Sequence, residues 1–261
     1  MSSMTLAPNH RVRLSGSEMK VKNLKNKDKL IDTFINSLRK EFGYNLKKII
    51  LFGSRARGDY TKDSDYDFIL VFEAVTKELK ERLHEIEGNM LLEYGMVITA
   101  IPYTDKDIEK RRFLPFLLNV GKKGGNVVKG EIKKTDIKVV VEKGKRALED
   151  GKILFADKRY ESASSRVYYS IFHLLQAALM THGLSFSKHS AVISHFSKIF
   201  LKTGILPKEF SKIIGRLRKD REIVDYDYIH TVEEGEVKAD IADAEKVVKT
   251  IEEYLMKEGF T

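Results

Sequence analysis

The stretch LFGSRARGDYTKDSDYDFILVF, residues 51–72, decides how the N-terminal half of this chain is read. Lys48–Phe52 and Asp67–Phe72 are short β-branched and aromatic runs of the kind that form buried strands. Gly53 and Ser54 close the first run, and a glycine there lets the backbone approach a phosphate while nearby amides and the Ser54 hydroxyl donate to it. Asp65 and Asp67 open the second run. Residues two apart on an extended segment point to the same side, so both carboxylates project into one cleft. Two carboxylates are hard oxygen ligands suited to Mg²⁺, which would bridge to a triphosphate and neutralise the departing pyrophosphate. Arg55 and Arg57 can clamp phosphate oxygens. Each part alone is commonplace, since Gly-Ser often ends a strand and Asp-x-Asp often forms a solvated turn; the order of the parts between two apolar strands carries the reading.

Outward from this stretch, Leu30, Ile31, Phe34, Ile35 and Leu38 recur at three- and four-residue steps, which predicts an amphipathic helix over 23–42. A second helix is expected over 77–94, and Met96–Ile101 reads as a third strand closed by Pro102. After Lys129 the strand signals stop. Residues 131–155, 158–182, 190–203, 208–228 and 236–258 read as helices punctuated by Gly183, by Gly204 with Pro207, and by Gly235. The paired glycines of Lys122-Lys123-Gly124-Gly125-Asn126 mark the expected joint. The expected organisation is therefore a flexible tail (1–22), an α/β domain with a mixed sheet (23–126), and an all-α bundle (131–258).

Composition fits two ordinary soluble domains: 42% of the 261 residues are hydrophobic. There is no cysteine, which removes disulfides, zinc-thiolate sites and cysteine nucleophiles from consideration. No secretory signal or membrane-length apolar run is present, so a cytoplasmic protein without membrane contact is expected. The 33% charged content, with Gln176 the single glutamine, fits a heat-adapted source. The net charge of +9 is uneven: residues 1–130 hold 24 basic and 17 acidic side chains, residues 131–261 hold 23 and 21. A preference for polyanions is expected mainly in the first half.

Gly53-Ser54, ten residues, then Asp65-x-Asp67 resembles the signature of the DNA polymerase β-like nucleotidyltransferases, in particular the minimal nucleotidyltransferase group, over about residues 25–125. The resemblance implies an α/β fold with a mixed sheet, a bound NTP with ATP the leading candidate, Mg²⁺ held by Asp65 and Asp67 as the catalytic pair, and transfer of a nucleoside monophosphate to a hydroxyl. More capable members carry a third carboxylate on a later strand. Here Met96–Ile101 has no acid, and Thr99 takes the slot by position, with Glu73, Glu93 and Asp105 as displaced candidates.

In the second half, RYESASSRVYYSIFHLLQAALMTHG (159–183) places Ala163, Val167, Ile171, Leu174 and Ala178 on one stripe, which is first a burial signal. His173 reads as a partly buried hydrogen-bonded histidine, and His189 and His195, six apart, do not share a helical face. This passage, with FSKHSAVISHFSKIFLKTGILP and RLRKDREIVDYDY, resembles the HEPN family over about residues 131–258, which implies a helical bundle that pairs with a second copy. Many HEPN domains are RNases whose active residues are an Arg followed by a His after four to six residues. Here Arg221 is followed by Tyr226 and Tyr228, with tyrosine where the histidine would be. His230 lies nine positions on, about 13 Å along a continued helix. Little RNase activity is expected without an imidazole at that place, and Arg221 with Asp225 fits an i,i+4 ion pair.

Proteins resembling these two families are frequently neighbours as a toxin and antitoxin pair, in which the transferase partner adenylylates a tyrosine of the HEPN partner. The expectation is the pair fused: a Mg²⁺-dependent nucleotidyltransferase, with Tyr228 and then Tyr226 as candidate AMP acceptors. Its expected ligands are nucleotide first and RNA second, and a homodimer through the HEPN half is expected. The alternatives are a non-catalytic nucleotide- or RNA-binding regulator and a residual HEPN ribonuclease.

Overall fold

The computed structural model describes residues 20–22, 29–115, 117, 132–227, 229 and 231–260. The expected joint at 122–126, Tyr228 and His230 lie outside them. The chain divides into two compact units.

The first unit is a small mixed sheet covered by helices. The helix α1 (Lys29–Phe42) leads through a 3₁₀ turn into β2 (Leu46–Phe52). There follow the short α2 (Gly53–Arg57), β3 (Tyr66–Phe72), α3 (Lys77–Tyr94), β4 (Ile98–Thr104) and α4 (Asp105–Lys110). A three-residue β1 (Lys20–Lys22) runs parallel to β2, β2 and β3 are antiparallel, and β3 and β4 are parallel, in the order β1-β2-β3-β4. Phe68–Phe72 are fully buried on both faces of β3, as a continuous apolar run in a central strand requires. The three- and four-residue stripe of α1 packs Ile31, Phe34, Ile35 and Leu38 onto the sheet core. Thr76 caps α3 by accepting from the Leu79 amide at 3.1 Å, and Gly95 ends it with a left-handed φ of 62°.

The third strand differs from the sequence reading at both ends, beginning at Ile98 rather than Met96. Pro102 does not close the third strand, because β4 runs through it to Thr104. Among the described residues β4 is an edge strand, and on an edge a proline's missing N–H interrupts no ladder.

The second unit is all helical: α5 (Lys134–Ala156), α6 (Tyr160–Met180), α7 (His189–Phe196, prolonged by a π turn over Ser197–Leu201), α8 (Phe210–Tyr226) and α9 (Glu234–Lys257). The stripe read on α6 is its axis, with Ala163, Val167, Ile171, Leu174 and Ala178 fully buried. Glycines set its spacing from α5. A β-carbon on Gly144 would lie 2.2 Å from Leu174 Cδ2 and 3.0 Å from the Ser170 carbonyl, and one on Gly151 would lie 3.0 Å from Val167 Cγ2. Phe113 packs in this helical core with Leu114 against it, so both belong with the second unit rather than with the sheet.

Candidate functional site

The end of β2 and the start of β3 meet through the register Phe52↔Asp67, which sets Gly53 directly against the second aspartate. Gly53 has φ +72°, and a β-carbon there would fall 2.0 Å from Asp67 Oδ2 and 2.9 Å from its Cγ. Only a residue without a side chain allows the backbone turn and the carboxylate to share this space. The glycine and the aspartate, fourteen residues apart, are thus one structural feature.

The loop between them is held from within by Arg55. Its Nε donates to the Ser64 carbonyl at 2.8 Å, its Nη2 donates to the Lys62 carbonyl at 3.2 Å, and its guanidinium lies 3.6 Å over the buried Tyr66 ring and 5.0 Å from Tyr60. The flat, multiply donating head of arginine is suited to that combination. Arg55 therefore positions the loop that delivers Asp65, a role its place in the motif did not disclose. Arg57 is exposed and forms a two-pronged pair with Asp59, Nε to Oδ2 and Nη2 to Oδ1, both at 3.1 Å. The Ser54 carbonyl accepts from the Gly58 and Asp59 amides, closing the turn.

Asp65 is exposed and Asp67 half-buried. Burial first, and then the neighbouring Asp65 charge, raise the Asp67 pKa above the usual carboxylate range, with Arg57 opposing them. A divalent cation would relieve both effects. Among the described residues no group of three or more His, Cys, Asp or Glu side chains is arranged to hold a metal; Asp65 and Asp67 could offer a divalent cation two carboxylates, a donor set that would leave room for phosphate oxygens.

The third-acid position is legible in the register. Thr99 of β4 lies directly opposite Asp67 and is exposed. Glu73 and Asp105 both pair with Lys47, and Asp105 follows Thr104, the residue opposite Phe72 at the far end of β3, so neither stands beside Asp67. Glu93 lies exposed on α3. Sequence reasoning passed over Glu87, whose Oε1 accepts from the Ala100 amide of β4 at 2.8 Å and whose pKa is raised chiefly by burial. Its placement four residues after Leu83 and three before Met90, both buried, was the available signal.

In the helical unit, Arg221 of α8 donates from Nη2 to the Tyr169 hydroxyl at 3.0 Å and forms the expected ion pair with Asp225 at 2.7 Å. Tyr226 ends α8 and is 74% exposed. The tertiary structure adds His189, whose Nδ1 shares a 2.8 Å hydrogen bond with the buried Tyr168 and whose ring stacks on Phe172 at 4.2 Å. His195 is elsewhere, bonded to the Ala191 carbonyl and stacked on Phe186. His173 is partly buried, and burial, reinforced by Lys143, lowers its pKa to about 4.

A family model described as a nucleotidyltransferase domain matches residues 31–120, and one described as a HEPN domain matches residues 137–254. The chain belongs to both families. It is 38% identical over 113 residues to a UPF0332 protein of Thermotoga maritima, covering 43% of this chain and 86% of that one. In Methanocaldococcus jannaschii, a protein named "Putative protein adenylyltransferase" is 37% identical over 99 residues, 38% of this chain and 95% of its own. Another from that organism, named "Putative toxin", is 34% identical over 120 residues, 46% of this chain and 89% of its own. The sheet with Gly53, Asp65 and Asp67 is thus the nucleotidyltransferase domain and the helical bundle is the HEPN domain. No helix among the described residues is long and apolar enough to cross a membrane.

Proposed function

We propose that the nucleotidyltransferase domain transfers AMP from ATP to a tyrosine hydroxyl, and that the tyrosines following Arg221 in the HEPN domain are its acceptors. The observation that carries this is the interlock of Gly53 with the Asp67 carboxylate: a chain that only needed a turn there would not have to exclude a side chain for the sake of an acid. The names of the relatives, an adenylyltransferase and a toxin, support pairing a modifying domain with its target. Asp65 and Asp67 would hold Mg²⁺, which when bound supplies charge neutralisation for the phosphates. Gly53 keeps the strand end open for the triphosphate, and Arg55 fixes the loop so that Asp65 stays beside Asp67.

The acceptor oxygen attacks the α-phosphorus, the bond from that phosphorus to the pyrophosphate oxygen breaks, and the hydroxyl proton is released. Thr99, opposite Asp67, has no carboxylate to take that proton. A phenol, with an ordinary pKa of about 10, surrenders its proton far more readily than an aliphatic alcohol, so a threonine at this position favours tyrosine as acceptor. Tyr226 is exposed at the end of α8.

Intact-mass spectrometry after incubation with ATP and Mg²⁺ tests the proposal. An adduct of one AMP, lost in Asp65→Asn/Asp67→Asn and reduced in Tyr226→Phe/Tyr228→Phe, is the expected result. Nucleotide binding without any adduct or pyrophosphate release would replace it with a second reading, a nucleotide-binding regulator, which the Thr99 substitution favours. RNA cleavage is expected to be weak, because Tyr226 stands where an imidazole would be and Arg221 is bonded to Tyr169 and Asp225.

A further inference from the structure

The 58–65 loop, which joins the Gly53-Ser54 turn to Asp65, is pinned on both sides of one residue. Before it, Asp59 is held by the two-pronged pair with Arg57, and the Gly58 and Asp59 amides donate to the Ser54 carbonyl. After it, the Thr61 amide donates to Ser64 Oγ at 2.9 Å and the Ser64 amide donates back to the Thr61 carbonyl at 3.2 Å. Arg55 holds the Lys62 and Ser64 carbonyls as well. The residue between these pins is Tyr60. Hydrogen bonds on both flanks fix the backbone that carries its side chain.

Among the described residues of the nucleotidyltransferase domain the exposed tyrosines are Tyr44, Tyr60 and Tyr94, and they differ in place and in partners. Tyr44 lies in the 3₁₀ turn before β2, so the length of that strand, about 20 Å, separates it from Gly53. The Tyr94 hydroxyl faces the Glu93 carboxylate. Tyr60 instead stands on the loop that connects the two halves of the site, six residues after Ser54 and five before Asp65. It is 42% exposed, and among the described residues its hydroxyl meets no hydrogen-bond partner. The Arg55 guanidinium lies 5.0 Å from its ring centroid, a fixed positive charge beside the ring on which negative charge develops when the hydroxyl reacts. A triphosphate running between the Gly53-Ser54 turn and the acidic pair has this loop alongside it.

We infer that Tyr60 is an AMP acceptor in its own right, adenylylated in cis by the site that its loop encloses. The inference rests on the transfer reaction proposed above and adds an acceptor within the nucleotidyltransferase domain itself. The Tyr60 hydroxyl oxygen forms the bond to the α-phosphorus of ATP. The bond from that phosphorus to the pyrophosphate oxygen breaks, its electron pair leaving on pyrophosphate, and the phenolic proton passes to solvent. A short tether holds the acceptor at an effective concentration of about 1 mM, roughly a thousandfold above a second chain at micromolar concentration. Transfer to Tyr60 is therefore insensitive to dilution of the protein.

The test is peptide mapping by tandem mass spectrometry after the full chain is incubated with ATP and Mg²⁺ and digested with trypsin. The candidate acceptors fall in different peptides: Gly58–Lys62 holds Tyr60, and Glu222–Lys238 holds Tyr226 and Tyr228. Unlabelled wild type is also mixed with ¹⁵N-labelled Asp65→Asn/Asp67→Asn chains. The expected result is an AMP adduct on Gly58–Lys62 of the wild type, with a half-time unchanged by about tenfold dilution, and none on that peptide of the labelled chains. An adduct confined to Glu222–Lys238 overturns the inference and leaves the transfer reaction standing. An adduct on Gly58–Lys62 of the labelled chains overturns transfer in cis. No adduct on any peptide overturns the transfer reaction and the inference with it.

Discussion

Replacing Gly53 by alanine isolates the contact on which the candidate active site depends. Two separable penalties follow from the structure. The backbone at φ +72° is in the left-handed region, where a β-carbon costs about 1 kcal/mol. The new methyl would also sit 2.0 Å from Asp67 Oδ2, so the carboxylate must leave its rotamer or the turn must shift, a further ~1–2 kcal/mol. Gly53→Ala should therefore destabilise the nucleotidyltransferase domain by about 2–3 kcal/mol. Asp67→Ala removes the colliding oxygen and leaves only the Asp67 β-carbon, 3.2 Å from the new methyl. In that background Gly53→Ala should cost only the backbone part, about 1 kcal/mol. The assay is denaturant unfolding of the four proteins of this cycle by circular dichroism, with AMP-adduct formation measured in parallel. A coupling of about 1–2 kcal/mol and loss of adduct in Gly53→Ala, although both aspartates remain, are expected. Equal destabilisation by Gly53→Ala in both backgrounds would refute the interlock and reduce the glycine to a turn residue.

Three further outcomes follow from particular contacts. Arg55→Lys loses the guanidinium's two carbonyl bonds and its stacking on Tyr66; it should raise the KM for ATP and increase proteolysis of the 58–65 loop, with circular dichroism little changed, and an unaltered KM would count against a positioning role. Asp240 is 1% exposed and paired with Arg216, and burial raises its carboxyl pKa from 3.8 to about 6. The folded state thus holds this proton more tightly than the unfolded chain, so the stabilisation is complete below pH 3.8 and disappears as the pH rises through 6. Relative to Asp240→Asn, the wild type should lose about 3 kcal/mol of stability between pH 4 and 7, and parallel stability curves for the two proteins would contradict this. Gly144→Ala drives a methyl against Leu174 and the Ser170 carbonyl and should lower HEPN-domain stability by about 1–3 kcal/mol in thermal unfolding; an unchanged melting temperature would show that α5 and α6 can separate freely.

Much of the site was legible in order along the chain because its parts are local. The alternation of strands and helices in the first half and the helical periodicity of the second follow from side-chain spacing. So does the projection of Asp65 and Asp67 to one side of a strand. Arg221 and Asp225, four residues apart, were a pair the helix itself makes. Where the reading stopped short, the deciding partner was distant in sequence. The bonds of Arg55 to the Ser64 and Lys62 carbonyls were not readable because they depend on how the loop folds back. Pro102 looked like a strand end because only the sheet order shows that β4 lies on an edge.

The sequence by itself determined the two families and the element types, since periodicity and motif order are properties of neighbouring residues. Tertiary structure alone decided that Gly53 is reserved for the Asp67 carboxylate, that Thr99 stands opposite that acid, that His189 bonds Tyr168 from twenty-one residues away, and that α5 and α6 meet closely enough at Gly144 to exclude a side chain there. Each depends on strand register or on the depth at which two helices meet, and those are set by packing of the whole core rather than by any single stretch of chain.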